Sequence, residues 1–298
     1  MSPPILAIIL NWRQPELTHQ CINHLQALPY PHLDILIVDN GSADHSLPYF
    51  QQHLPTIPVI PNPANTGFAH GNNLGLRYAQ QHNYPYTLIL NNDAFAEPPM
   101  LTNLLAHATP DIGLISPKIL YEPQPDLLWF AGGSQAKYTL DLVNHGRGQP
   151  DTPLWSTRDV DYLLGTCWLV NMAALDHVGL LDESYFMYFE DLDWSLRFRQ
   201  AGYRLRFVAD ARLHHRVAVS SGGEDTPFRR YHLARSGVHF WRRYAHLGSP
   251  PIIIAWRLLS ALKMVGRLLL NRQPATARAY LRGLYHGLLP PQAPTNTP

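Results

Sequence analysis

Three short apolar runs in this chain each stop at an amide or a carboxylate, and each is followed by residues at helical spacing. Residues 5–10 are closed by Asn11, residues 33–38 by Asp39, and residues 87–90 by Asn91-Asn92-Asp93. Between them, residues 15–28 carry Leu17, Cys21, Leu25 and Leu28 on one helical face, and residues 71–81 and 98–108 read as further helices. Residues 58–60 supply another strand. Uninterrupted apolar strands that alternate with helices predict βαβ units and a mainly parallel sheet covered on both faces. Ligands on such sheets bind beyond the carboxyl ends of the strands. The polar residues that close the strands fall at those ends, so the chemistry is expected there.

A chain of 298 residues that is 46% hydrophobic has ample apolar surface for a core, and its 15% charged residues fall below the usual 25% or so. That balance excludes a charge-driven disordered protein and a long coiled coil. Cys21 and Cys167 form no Cys-x-x-Cys pair and are too few for a disulfide scaffold or a cysteine-built zinc site. A reducing compartment, the cytoplasm, is expected. The first ten residues lack a basic segment and a long apolar run, so no secretory leader is expected. The net charge of +1 conceals an asymmetry. Residues 1–211 hold 10 Lys and Arg against 20 Asp and Glu, whereas residues 212–298 hold 13 against 2. A basic C-terminal segment on an acidic body predicts contact with an anionic surface. A membrane surface is expected to be that partner, not a nucleic acid.

Five strings offer chemistry. Val38-Asp39-Asn40-Gly41-Ser42 sets a carboxylate where it can accept from a base N3–H or a ribose hydroxyl, although the same residues also favour a plain turn. Residues 65–75, with Asn65, Gly67, Gly71, Asn72 and Gly75, are a glycine-rich approach to a helix whose backbone N–H groups can face a phosphate. Their GxxxGxxxG spacing is neither that of a dinucleotide fold nor a Walker loop, and close helix–strand packing explains it equally. In Asn91-Asn92-Asp93 the carboxylate suits a hard divalent ion that keeps waters and bridges phosphates, or simply ends a strand. Glu190-Asp191-Leu192-Asp193 opens a helix directly behind Tyr185-Phe186-Met187-Tyr188-Phe189. Acids there cap a helix, while a carboxylate among apolar rings tends toward the raised pKa of a general base. His214-His215 ends a further strand and offers a metal ligand or a donor to phosphate.

Taken in order, these strings resemble the family 2 glycosyltransferases of the GT-A fold, particularly the rhamnosyltransferase-like branch. The likeness runs over residues 6–221, adding residues 160–166, 178–183 and 186–193, Arg197 and Gly202-Tyr203 to the strings above. It implies an α/β fold of the nucleotide-diphospho-sugar transferase type: a Rossmann-like, mainly parallel sheet flanked by helices, with a C-terminal helical extension. The implied division is a catalytic domain over residues 1–220, donor-binding to about residue 120 and acceptor-side beyond it, and a basic extension over residues 221–298. The implied activity is inverting transfer of a sugar to a glycan or lipid-linked acceptor in cell-surface polysaccharide synthesis. The favoured donor is dTDP-L-rhamnose, with a UDP-hexose as alternative; a non-catalytic sugar-nucleotide-binding protein is the other reading. The resemblance makes Asp191 the general base and Glu190 its acceptor-binding neighbour. It assigns Asn11, Asp39, Asn65, Gly67, Asn72, Asn92, Asp93 and Gly165 to the donor. It places Mg2+ or Mn2+ on Asp93 and His215, with His214 as the competing histidine. Asn91 stands at the first acidic position of the metal motif, and Ala218 where a glycine usually follows the histidine.

Residues 121–161, with Gly132-Gly133 and several prolines, read as an irregular surface excursion near the acceptor side. Ser220-Ser221-Gly222-Gly223 reads as a mobile loop and the last eight or nine residues as a disordered tail. Helices are expected over residues 227–244 and 251–271. The second tempts a membrane-spanning reading, but Arg257, Lys263 and Arg267 interrupt it. At about 100° per residue these three and Ser260 fall within a stripe about 120° wide, and the remaining residues of the helix include Ile252, Ile253, Trp256, Leu259, Leu262, Leu269 and Leu270. That pattern predicts a helix lying in an anionic membrane interface, basic side outward, or one packed on the body or on a second copy in a homodimer.

Overall fold

The computed structural model describes residues 2–216 and 225–290. Its first elements are β1 (Ile5–Asn11), α1 (Pro15–Gln26), β2 (Leu33–Asn40), α2 (Ser46–His53), β3 (Val59–Asn62), α3 (Gly67–Gln81) and β4 (Tyr86–Asn91). β1 runs parallel to β2 on one side and to β4 on the other, and β3 continues parallel to β2. The register sets Asn11 opposite Asp39 and Leu10 opposite Asn91. Parallel pairing thus gathers the polar residues that close three strands at one end of the sheet. The helix expected from residue 71 begins earlier, at Gly67. A Cβ on Gly71 would stand 2.5 Å from Leu10 Cδ1, and one on Gly75 2.6 Å from Ile8 Cγ2. The GxxxGxxxG spacing therefore serves close packing of α3 on β1.

The chain continues through β5 (Ala94–Ala96), α4 (Met100–Leu105), β6 (Ile112–Tyr121), β7 (Gln124–Phe130), β8 (Gly133–Gln135), β9 (Leu142–Asn144), β10 (Arg158–Val160) and β11 (Cys167–Asn171). Then come α5 (Met172–Val178), α6 (Glu190–Gln200), β12 (Arg204–His215), α7 (Pro227–Tyr244), α8 (Pro250–Leu270) and α9 (Pro274–Leu288). The main sheet has the order β10-β12-β6-β11-β4-β1-β2-β3, with β5 on β12 and β7 on β6. β11 is antiparallel to both β4 and β6, while β12 is parallel to β6. β5, β7 and β10 also pair antiparallel, so the sheet is mixed, with β1 to β4, β6 and β12 all running one way. Trp168 on β11 and Trp194 on α6 are fully buried with ring centroids 5.1 Å apart, at the centre of the core.

The stretch 121–161 departs from the irregular excursion expected of it. It holds β7 to β10, with β8 and β9 paired as a separate antiparallel hairpin. At the C-terminal end, α9 lies so close to α7 that a Cβ on Gly283 would stand 2.3 Å from the Tyr231 carbonyl oxygen. The orientation of α8 also differs from expectation. Arg257, at one end of the basic stripe, turns inward, its guanidinium 3.7 Å from the Trp241 ring centroid and paired with Asp141. Large apolar residues of α8 face outward instead. No helix among the described residues is long and apolar enough to cross a membrane. The loop read over Ser220-Ser221-Gly222-Gly223, the Ala218 position and the tail of the last eight residues lie outside the described residues.

Candidate active site

At the ends of β1 and β2 the polar side chains bond one another. Asn11 donates to Asp39 Oδ1 at 2.7 Å and to Ser42 Oγ at 3.1 Å, and it accepts from Thr18 at 2.8 Å. Asp39 is buried and also accepts from the Ser42 hydroxyl. Next to it, Asn40 donates to Asn65 Oδ1 and to the Gly67 carbonyl, both at 3.1 Å, and accepts from Asn62 at 2.8 Å. Gly67 has φ +89°, and a Cβ there would meet the Phe186 carbonyl oxygen at 2.2 Å. Only glycine lets this loop touch the aromatic run, where the Phe68 N–H donates to that same oxygen at 2.7 Å.

β4 and β12 supply a second group. Asp93, just past β4, is buried, and its Oδ1 lies 3.1 Å from His215 Nε2. Successive residues of a strand point to opposite faces, so His214 turns the other way and binds Glu97. His215 Nδ1 is buried with no partner among the described residues. The nitrogen that faces the Asp93 carboxylate is Nε2, so a cation shared with Asp93 would take Nε2, and the orphaned Nδ1 on the other side of the ring is a further open valence. No cluster of three or more His, Cys, Asp or Glu among the described residues could hold a metal unaided. Asp93 and His215 therefore fit a hard divalent ion whose remaining ligands are substrate oxygens and water.

The first turn of α6 is the third group. Tyr188 and Phe189, immediately ahead of it, both adopt left-handed backbone with φ +65° and +68°. For bulky residues this costs of order 1–3 kcal/mol each, and it persists only where packing dictates it. Phe189 is wedged against Phe240 and Trp241 of α7, and Ser236 donates to the Met187 carbonyl at 2.9 Å. The turn so held carries three acids with different fates. Asp193 is fully buried and satisfied, by Arg197 Nε at 2.7 Å and the Tyr244 hydroxyl at 2.7 Å, and ties α6 to α7. Glu190 is buried with Oε2 unpartnered, and burial together with the neighbouring Asp191 pushes its pKa well up. Burial likewise pushes Asp191 up to about 6, against the pull of backbone N–H groups from Leu192 and Gly165. Two adjacent carboxyls in a desolvated wall cannot both ionise cheaply, and of the two Glu190 holds its proton to the higher pH.

The second and third groups meet in a cavity of about 350 Å³, within the range of small-ligand sites. Of the residues singled out in the sequence, Asp93, Gly165, Glu190, Asp191 and His215 line it, along with Asn91. Asn11, Asp39, Asn65, Gly67, Asn72 and Asn92 do not. Their side chains or backbone brace the loops around it, as Asn92 does by donating to Thr18 at 3.1 Å and Asn72 to the Phe68 carbonyl at 2.9 Å. Sequence reasoning missed Trp129, Asn144, Arg147 and Arg229, which also line the cavity. Arg147 stands 4.2 Å from the Trp129 ring centroid, between Gly146 and Gly148 with φ +80° and +72°. That Gly-Arg-Gly string was the available signal.

The profile of Glycosyl transferase family 2 matches residues 7–179, more than half of the chain. The chain is 25% identical to the N-acetylglucosaminyl-diphospho-decaprenol L-rhamnosyltransferase of Mycobacterium tuberculosis over 265 residues, covering 80% of this chain and 84% of that one. It is 28% identical to Rhamnosyltransferase WbbL of Escherichia coli over 152 residues, covering 48% and 58%. Among solved structures, the mannosyltransferase PcManGT of Pyrobaculum calidifontis, in complex with GDP-Man and Mn2+, superposes with a TM-score of 0.61 at 16% identity, over 97% of this chain and 77% of that one. GalNAc-T7, solved with UDP, GalNAc and Mn2+, gives 0.63 at 14% identity, over 82% and 50%. A sequence match of that extent, on a sheet of this order, makes the chain a member of glycosyl transferase family 2 with a GT-A fold.

Proposed function

We propose that this glycosyltransferase moves a sugar from a nucleotide-diphosphate donor to a hydroxyl of a glycan or lipid-linked acceptor, with inversion, and that Asp191 is its general base. The observation that carries the reading is Asp191 itself, a carboxylate raised to about 6 in the cavity wall that also holds Asp93 and His215. A base near that value is ionised at neutral pH yet basic enough to take a proton. In the step, Asp191 takes the acceptor hydroxyl proton as that oxygen attacks the anomeric carbon. The bond from that carbon to the diphosphate oxygen breaks, and its electron pair leaves with the nucleotide diphosphate. Glu190, protonated, donates a hydrogen bond to the acceptor and leaves Asp191 as the only charge of the pair. Asp93 and His215 would hold Mg2+ or Mn2+, which neutralises charge on the leaving diphosphate when bound. The Asn11–Asp39–Ser42 network receives the nucleoside.

The likeness to two rhamnosyltransferases supports dTDP-L-rhamnose as the donor and a lipid-diphosphate-linked sugar as the acceptor. Residues 1–120 then form the donor half and residues 121–220 the acceptor half. Titration of the purified protein with dTDP-L-rhamnose and with UDP-galactose, UDP-glucose and UDP-GlcNAc, followed by assay of slow donor hydrolysis, tests it. Tightest binding and hydrolysis of dTDP-L-rhamnose is the expected result. Preference for a UDP-hexose would reassign the donor, and binding without hydrolysis of any of the four would reject the enzymatic reading.

A further inference from the structure

The outward face of α8 is the largest feature of the molecule that the transfer reaction leaves unused. Ile254, Leu258, Leu259, Leu262 and Leu270 are each more than 60% exposed. Ile254, Leu258 and Leu262 follow at four-residue intervals and so form one continuous stripe. α9 adds Tyr285 and Leu288, at 62% and 59% exposed. Single exposed leucines are ordinary, but a contiguous apolar patch marks an interaction site. The inward face of α8 is already engaged, through buried Ile253 and Leu268 and through Arg257 on Trp241 and Asp141.

Charge decides between occupants. Residues 226–290 contain eleven Lys and Arg and no Asp or Glu. Lys263, Arg272, Arg278 and Arg282 are exposed on α8, on α9 and between them. A two-fold contact would lay this surface on its own copy, basic residues against basic residues. An anionic bilayer is complementary instead, with apolar side chains entering the acyl boundary and Lys and Arg meeting the headgroups.

The patch also runs on to the cavity. Asp141, in the turn of the β8–β9 hairpin, accepts from both Trp256 and Arg257 of α8. Tyr138 and Val143 of that hairpin are 59% and 50% exposed, while its Leu142 and Asn144 line the cavity. We propose that the outward face of α8 and α9, extended by the β8–β9 hairpin, docks in the interface of an anionic bilayer and sets the cavity mouth against it. The docking rests on this surface alone; only its use, delivery of a lipid-linked acceptor to Asp191, rests on the transfer reading.

Flotation of the full-length protein with phosphatidylcholine vesicles, with and without phosphatidylglycerol, tests the docking. The protein is expected to float with the anionic vesicles, less at high salt as screening weakens the basic contacts, and weakly with the neutral ones. Leu258→Glu/Leu262→Glu is expected to weaken that binding at least about tenfold while circular dichroism, melting temperature and donor affinity stay unchanged. Lys263→Glu/Arg272→Glu should weaken anionic binding and leave neutral binding alone. Failure to float with either vesicle, or binding undiminished by the double leucine substitution, would overturn the proposal. So would a dimer in sedimentation velocity that this substitution disperses in a protein that does not float. Flotation without binding of any nucleotide sugar would reject the transfer reading and leave the docking in place.

Discussion

At the ends of β1 and β2, buried Asp39 accepts from Asn11 and Ser42, and Asn11 accepts in turn from Thr18. At the first turn of α6, Glu190 and Asp191 are pressed together behind two left-handed residues, with Glu190 Oε2 unpartnered. Both regions bury carboxylates at strand or helix ends, but the first satisfies its polar atoms and the second does not. A satisfied network fixes geometry, and each lost partner strands another buried group. A buried carboxyl left with an unpartnered oxygen beside a second carboxyl costs stability and gains a proton affinity suited to catalysis. On the proposed reading, the first region would brace the donor-side loops and the second would carry the chemistry.

The comparison can be broken most severely at Asp191. Asp191→Asn removes the base, and transfer should fall by at least about 10²-fold, the scale of general-base catalysis. Donor affinity, measured by calorimetry, should stay near wild type. Retention of a tenth of the turnover would remove Asp191 from the role. Asp93→Asn should act in the opposite sense, weakening donor binding about tenfold or more in the presence of Mg2+ or Mn2+, the scale of one lost charge-assisted contact. Wild-type protein titrated with donor in EDTA should show a comparable loss. Equal affinity with and without the chelator would exclude the metal from donor binding.

Stability sharpens the same contrast, because the two regions should respond with opposite signs. Asn11→Ala strands Asp39, Ser42 and Thr18 and should cost about 1–3 kcal/mol in denaturant unfolding. Glu190→Gln should stabilise the chain at pH 7.5. The sign follows from linkage. The pKa of Glu190 is higher in the native chain than in the unfolded one, so the unfolded chain releases its proton first as pH rises. Wild type therefore loses stability above the ordinary glutamate range, and a neutral amide does not. The gain should vanish below about pH 4. A destabilised Glu190→Gln at pH 7.5 would mean that the pair is satisfied after all.

The strand-end residues were legible because three apolar runs each closed on Asn or Asp, and parallel pairing then had to bring them level. His215 was legible only with His214, since one strand pattern does not say which of two neighbours faces inward; pairing with β5 and β6 decided it. β6 was missed, its apolar run broken by Ser116, Pro117 and Lys118, which the fold buries with Lys118 on Asp151. β7 to β9 were hidden among glycines and prolines, and with them Trp129 and Arg147. α9 was missed; glycine weakens a helix, and its Gly283 and Gly287 are there to give α7 room to approach. Asp39 takes one partner from Ser42, inside its own string, but the other from Asn11 on a different strand, a contact that no local string contains.

The central claim is that the fold raises Asp191 to a base poised near pH 6. It is tested without substrate by titrating the carboxyl 13C resonance that disappears in Asp191→Asn, followed by NMR in the wild-type protein. A midpoint near 6 is expected, with a transition at higher pH for the resonance lost in Glu190→Gln. An Asp191 midpoint at or below the ordinary aspartate value of about 4 would contradict it.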